Sequence, residues 1–161
     1  MASSYTTNFG IEEMASGDQA GAWGTTTNFN FDILDRIASY KAVALSDAAT
    51  ATLTVREASP GAGTENLQDG MFRVIKFTGA LSQNCTVTIA PNTTSAYFIF
   101  INATTNAGSS GPYTTIISQG SGANYIVANG TSALVYCDGA GTGAVVAAAL
   151  VESLTTRGDI V

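Results

Sequence analysis

The side chains that carry out most enzymatic chemistry are few in this sequence. The 161 residues include 12 carboxylates but no histidine. Histidine is the commonest general base, the usual activator of a serine or cysteine nucleophile and the usual nitrogen ligand of zinc. A histidine triad is therefore excluded, and we predict that the chain has no catalytic residues, no metal site and no cofactor.

Catalysis by carboxylates alone would need two of them facing each other across a cleft, as in a glycosidase. Glu12 and Glu13 are adjacent in the N-terminal segment. Three further carboxylates, Glu57, Glu65 and Asp69, share one glycine-containing segment. We interpret both groups as solvated surface charges, so the sequence favours a protein that is not an enzyme.

The two cysteines lie inside predicted strands, where Cys85 is in phase with the apolar Val87 and Ile89. The N-terminus lacks the basic start and the apolar stretch of a signal peptide, so we expect synthesis in the cytoplasm, where thiols stay reduced. We therefore predict that Cys85 and Cys137 are buried free thiols. A disulfide between facing strands is the alternative.

The charge balance argues against two classes of partner. The net charge is -6, and the six basic residues are scattered singly, so no basic stripe can neutralise nucleic-acid phosphates. No run of about 18 apolar residues predicts a membrane-spanning helix. Only 11% of residues are charged, which is little for a dispersed monomer, so we expect partners to cover part of the surface.

The elements that would position any site are mostly strands. Threonine, serine, asparagine and 17 glycines dominate the polar residues, and after Tyr40 the apolar residues recur with a period of two. Nine segments fit this pattern: 41–46, 50–56, 71–79, 84–90, 96–103, 113–118, 124–128, 132–137 and 144–150. This spacing predicts a mainly β fold, an antiparallel β-sandwich that resembles a jelly roll.

Two details of the predicted sandwich can be tested directly. Asn129-Gly130 is the strongest signal for a β-hairpin, because both residues tolerate the positive φ of a type I′ turn. The segment 97–101 is apolar throughout, which predicts a central strand that is buried on both faces.

The N-terminal part lacks this period. Residues 1–24 show no regular pattern and predict an extended arm. Thr27 or Asn28 can cap a short helix over residues 29–39, in which Phe31 and Leu34 share one face with Ala38. The domain organisation that we predict is an arm and helix over 1–40, a sandwich over 41–150 and a C-terminal linker or tail over 151–161.

The segment 14–40 also carries a distinctive series of residues. It contains Gly17-Asp18-Gln19, then Trp23-Gly24-Thr25-Thr26-Thr27-Asn28, then a predicted helix that leads to Tyr40. This series resembles a recurring N-terminal signature of tailed-bacteriophage virion proteins, in which a threonine-rich β region follows. Two later segments, 74–80 and 133–139, are similar to that family as well.

The resemblance implies a place in the virion and a set of anchoring or assembly residues. These candidates are Gly17, Asp18, Gln19, Trp23, Gly24, Thr25, Thr26, Thr27, Asn28, Phe31, Leu34 and Tyr40. The arm and helix would dock onto other virion proteins of the tail or capsid, and the sandwich would form a homo-oligomer, with a trimer as the expected form. The only tryptophan, Trp23, would either anchor the arm to a partner or pack as a core residue on its own sandwich.

Three functions follow from these expectations. The first is a tail fibre or the virion-proximal anchor of such a fibre. The second is a capsid (head) decoration protein, which needs the same combination of β module and arm. The third, from a different class, is a module that binds host surface glycan through exposed aromatic rings such as Trp23 or Tyr113.

Overall fold

The structure is a computed structural model that describes residues 2–150. The predicted linker or tail over 151–161 lies outside the described residues. The chain begins with β1 (Ser4–Tyr5), β2 (Glu12–Glu13) and the helix α1 (Trp23–Ile37). The prediction of a mainly β, sandwich-like fold with one helix is confirmed.

Two sheets form the sandwich. The larger sheet contains β3 (Tyr40–Ala44), β5 (Val74–Thr78), β8 (Ala96–Asn102), β12 (Ser132–Cys137) and β13 (Val146–Ala148), in the spatial order β13-β12-β8-β5-β3. The smaller sheet contains β4 (Thr50–Thr54), β7 (Cys85–Ala90), β10 (Thr115–Ser118) and β11 (Tyr125–Val127), in the order β11-β10-β7-β4. A further small pair joins β6 (Ala80–Leu81) to β9 (Thr105–Asn106). Each of the nine predicted strands has a counterpart among these elements.

Alternation along the strands builds the core between the sheets. In β7, Cys85, Val87 and Ile89 are buried, while the threonines between them are partly exposed. Phe100 of β8 stacks on Phe98 and on Phe77 of β5, with ring centroids 5.0 and 5.3 Å apart. Full burial of one such side chain stabilises the fold by about 1.5–3 kcal/mol.

The pairing within the sheets is mixed, not uniformly antiparallel as predicted. Between β3 and β10, the chain passes back and forth between the two sheets: β3, β5 and β8 belong to the larger sheet, and β4, β7 and β10 belong to the smaller one. It does not return beside the strand that it has just left. Strands of the same sheet therefore run in the same direction, as in the parallel pairs β3·β5, β5·β8, β4·β7 and β7·β10. The last strands close the sandwich with antiparallel pairs.

The hairpin predicted at Asn129-Gly130 is one of these crossings, so that prediction is wrong. Gly130 has the positive φ of 74° that the turn requires, but the turn joins β11 of the smaller sheet to β12 of the larger one. Gly130 N–H donates to the Asn102 carbonyl at 2.8 Å, and the Asn129 amide donates to the Thr104 carbonyl at 2.7 Å. These bonds fix the turn across the end of the sandwich.

The helix begins six residues earlier than predicted, at Trp23, and the predicted caps lie inside it. The N-cap residue is Ala22, which makes no side-chain capping bond. Thr27 does not cap: its hydroxyl donates to the Trp23 carbonyl at 2.8 Å, one turn back. Threonine has modest helix propensity, so the run of three threonines concealed the first helical turns.

The arm is largely irregular, but it is folded back onto the sandwich. Phe9 packs against the core, and its ring centroid lies 4.8 Å from the Arg73 guanidinium carbon. The Asn8 side-chain oxygen accepts from the Ser95 N–H at 3.2 Å. The arm is therefore held by its own sandwich and does not project freely.

β8 occupies the centre of the larger sheet, but it is buried on one face only. Phe98 and Phe100 lie in the core, whereas Tyr97 and Ile99 are exposed on the opposite side. The prediction of burial on both faces is wrong, because no second layer covers this side within residues 2–150. The outer side of the sheet is consequently apolar and accessible.

Both cysteines are free and buried, as predicted. Burial raises the pKa of Cys85, and it raises the pKa of Cys137 to about 12, with a further contribution from Asp138 that Arg73 opposes. A thiol held protonated inside the fold is a poor nucleophile. The cysteines are therefore core residues and not reactive groups.

We expect neither thiol to react with an aromatic disulfide reagent in the native protein, and both to react after unfolding in guanidinium. Because the folded pKa of Cys137 is raised, the unfolded state loses this proton first, and stability should fall as pH rises from about 8.5 towards about 12. Cys137→Ala serves as the control for that part of the pH dependence. Fast labelling of native protein at neutral pH would contradict the burial of these groups.

Candidate functional site

The predicted anchoring residues fall into two groups with different surroundings. The first is a polar cluster between the arm and the helix, centred on Gln19. The Gln19 amide donates to Glu12 and to the Ser3 hydroxyl, and its oxygen accepts from the Thr26 hydroxyl. Asp18 accepts from the Ser3 hydroxyl at 3.1 Å.

This cluster continues into the loop between β4 and β5, which contains Gly63. The Asn30 side chain exchanges two hydrogen bonds of 2.9 Å with the backbone of Glu12. The Glu12 carboxylate also accepts from Gly63 N–H at 2.8 Å. Glu12 is therefore buried with partners, so the interpretation of this residue as a solvated surface charge is wrong. Burial raises the pKa of Tyr5, and the charges of Glu12 and Asp18 raise it further.

The polar cluster determines which side of the helix faces inward. Thr26 and Ile33 are the buried residues of α1, and both lie on the side that the arm covers. Phe31 and Leu34 do not face inward, because the arm presents hydrogen-bonding groups that Thr26 and Asn30 satisfy better than apolar side chains would.

The second group lies on a neighbouring side of α1. We call it the helix stripe and define it as the exposed Trp23, Phe31 and Leu34 together with the partly buried Thr27. Their spacing of four, four and three residues places them in one line along the helix. Trp23, Phe31 and Leu34 are 63, 59 and 48% exposed. Their exposure rules out the interpretation of Trp23 as a core residue of its own sandwich.

The remaining candidates lie beside one of these groups, with the exception of Tyr40. Gly24, Thr25 and Asn28 lie in the first two turns of α1 beside the helix stripe. Gly17 adopts a positive φ of 77° in the turn before Asp18. Tyr40 lies apart from both, at the start of β3 on the outer side of the larger sheet.

The helix is firmly attached on one side, so the stripe is presented on a fixed element. The Arg36 guanidinium donates to the Gln68 carbonyl at 3.2 Å and lies over the Phe72 ring, 5.3 Å from its centroid. Lys41 contacts the same ring and pairs with Asp69 at 2.6 Å. A preformed surface loses less conformational entropy on binding than a flexible one.

Residues 2–150 contain no group of three histidine, cysteine, aspartate or glutamate side chains placed to hold a metal ion. A shallow depression in the arm is lined by residues 5–9 together with Ile11 and Glu13. It therefore contains one carboxylate, whereas hydrolysis of a glycoside requires a facing pair.

Sequence reasoning missed Arg73, the buried cation that holds the arm in place. It donates to the carbonyls of Tyr97 and Met71 at 2.7 and 3.0 Å, and its guanidinium lies over the rings of Phe9 and Phe98. Burial lowers its pKa from the usual value, but an arginine stays charged at neutral pH. Arg73 is in phase with the buried Ile75 and Phe77 of the following strand, and this alternation was the one signal in the sequence that its side chain faces inward.

No helix of residues 2–150 has the length and hydropathy needed to cross a bilayer. Comparison with protein-family models, curated proteins and solved structures found no match to the chain.

Proposed function

We propose that the chain is a non-enzymatic structural component of a tailed-bacteriophage virion, docked to a neighbouring virion protein through the helix stripe. The observation that carries this proposal is the exposure of three large apolar side chains along one line of α1. Contacts on another side of the helix hold it in place. Exposed apolar rows of this kind are typical of helices that bind in a groove of a partner.

The size of the stripe fits a docking contact. The eleven-residue step from Trp23 to Leu34 spans about 16 Å of helix. Tryptophan is among the residue types most often found at the energetic centre of interfaces. Gly21 and Gly24 flank Trp23 with little side-chain bulk, so a partner can reach the indole closely.

Within the virion, we propose a tail fibre or its virion-proximal anchor as the first location and a capsid decoration protein as the alternative. Self-assembly is the second part of the proposal, with a homotrimer as the expected form. The low charge density of the chain, 11%, supports both parts. The resemblance of residues 14–40 to virion proteins supports the location.

A host-glycan-binding module is the second candidate function. The exposed indole of Trp23 favours it, since sugars stack on accessible aromatic faces. Tyr113 does not, because it is half-buried and packs against the core. A glycan array in which the chain binds host polysaccharide, and in which Trp23→Ala removes that binding, would favour this candidate over docking.

The test of docking is Trp23→Ala. We expect an unchanged thermal melt, because the indole contacts solvent in the free chain, and a loss of about 30-fold in affinity for the particle, as for other central interface residues. Copy number in purified virions, measured by quantitative mass spectrometry, gives the readout. Ile126→Ala, which removes an exposed side chain on β11, is the matched control and should leave incorporation unchanged.

Two outcomes would contradict the proposal. One is normal incorporation of the Trp23→Ala chain at limiting protein concentration. The other is turnover of a polysaccharide by the purified chain that a single aspartate or glutamate substitution abolishes, because the chain would then be an enzyme.

A further inference from the structure

A second exposed apolar surface lies on the outer side of the larger sheet, away from the helix stripe. We call it the outer face and define it by Tyr40, Val74, Tyr97, Ile99, Leu134 and Tyr136. The strand register places these side chains in two rows of direct neighbours. Tyr40, Val74, Ile99 and Leu134 form one row across four strands, and Tyr97 lies opposite Tyr136 in the next.

The outer face is large enough to be an interface. Tyr40, Tyr97 and Tyr136 are 52, 56 and 43% exposed, which amounts to about 300 Å² per chain if a fully exposed tyrosine offers about 200 Å². Five strands spaced about 4.8 Å apart, with an average of about five residues each, give a footprint of about 400 Å². An exposed apolar patch of this size on a monomer is often functional.

The outer face combines apolar side chains with an absence of carboxylates. The chain carries a net charge of -6, so two copies repel each other over most of their surfaces. Yet the outward positions of these strands include no carboxylate within the described part of the chain, and they include one cation, Lys76. Two acidic chains can therefore approach on this surface without bringing carboxylates together. The outward positions of β4 and β7 in the smaller sheet also lack carboxylates, but five of these six positions are threonines, so that side offers little apolar area.

We infer that the outer face of one copy packs against the outer face of another copy of this chain. An identical face supplies a partner of equal area and equal apolarity, and two such sheets pack face to face at a small angle set by their twist. The footprint is about half of the roughly 800 Å² per partner of a standard interface. The association is consequently weak in solution and is strengthened by the high local concentration in an assembly.

This inference rests on the self-assembly part of the proposed function and names the contact between two copies, so it predicts a dimer in place of the homotrimer expected there. It is independent of the helix stripe. The two surfaces have different tasks: the stripe docks to a different protein, and the outer face joins copies. A variant of one surface should therefore leave the function of the other intact.

The test is sedimentation of the full chain from micromolar to millimolar concentration, comparing Ile99→Asp with Ile126→Asp. Both replace an exposed isoleucine of a strand, at 37 and 60% exposure, but Ile126 lies on the smaller sheet. Because a face that packs on the same face of another copy closes at two chains, we expect concentration-dependent dimers. We expect Ile99→Asp to raise the dissociation constant about 30-fold or more, and Ile126→Asp or Trp23→Ala to leave it unchanged. Tyr136→Ser gives a second variant with a milder effect on the strand.

Salt provides an independent readout. Because apolar contact drives the association while acidic chains repel, added sodium chloride should strengthen it. A monomer at millimolar concentration would overturn the inference. Equal weakening by Ile126→Asp, or dissociation on adding salt, would overturn it as well. Failure of these experiments would leave the docking of the helix stripe untouched, since that is measured with Trp23→Ala on particles.

Discussion

Replacing Asn102 with leucine is expected to lower the free energy of unfolding by about 3 kcal/mol or more. Asn102 is fully buried at the end of β8, and its side chain connects the two sheets. Its amide donates to the Val127 carbonyl of the smaller sheet at 3.0 Å and to the Tyr113 carbonyl at 3.4 Å. Its oxygen accepts from the Thr104 hydroxyl at 2.7 Å.

Leucine has the same branched arrangement of side-chain heavy atoms as asparagine but is larger, so no cavity forms. The loss comes from the missing hydrogen bonds, with a further contribution from overpacking. Each buried polar group left without a partner costs about 1–3 kcal/mol. Urea denaturation of the variant measures the change, and Asn124→Leu, at an exposed position before β11, is the control. A loss below about 1 kcal/mol would mean that the freed carbonyl and hydroxyl find other partners, and would remove Asn102 as the link between the sheets.

Gly70→Ala is expected to destabilise the protein by about 3 kcal/mol, near the upper end for an overpacked site. Gly70 lies in the 3₁₀-helix Asp69–Met71, where the chain passes against the end of β4. A Cβ atom at this position would meet the Thr54 carbonyl, 2.7 Å from its carbon, and would lie 2.9 Å from the Val55 nitrogen. These are backbone atoms, so no side chain can rotate away.

The melting temperature reports this change. For a domain of this size, a loss of about 3 kcal/mol corresponds to a decrease of about 6–12 °C. Gly143→Ala is the matched control, because a Cβ there meets no atom within 4 Å, and its melt should stay near that of the wild type. A Gly70→Ala protein that melts like the control would show that the loop moves away from β4 at little cost.

The strands were predictable from sequence because each one buries alternate residues. β12 was predicted with its observed bounds, since the inward Val135 and Cys137 alternate with polar or large outward side chains. The pairing of strands was not predictable. Turn residues such as Asn129-Gly130 determine the local direction of the chain, but they carry no information on which sheet receives the next strand.

Periodic spacing of apolar residues also made part of the candidate site predictable. The apolar spacing of Phe31 and Leu34 indicated one helical face. Whether that face turns inward depends on the arm, which binds a neighbouring side of the helix. The Glu12 backbone N–H donates to Asn30, and the Gln19 side-chain oxygen accepts from Thr26. Such distant polar contacts leave no periodic signal, and neither does the pairing of Arg73 with aromatic rings.

The crossing of the chain between sheets has a consequence for the time course of folding. Tyr40 pairs with Val74, and Val74 with Ile99, so a nucleus cannot be built from adjacent hairpins alone. Each parallel neighbour requires the closure of a long loop before any ladder forms, and folds dominated by such contacts reach the native state in milliseconds to seconds. During that interval the strands of the larger sheet are exposed together with their apolar side chains, so the nascent chain is most vulnerable to aggregation before β8 is in place.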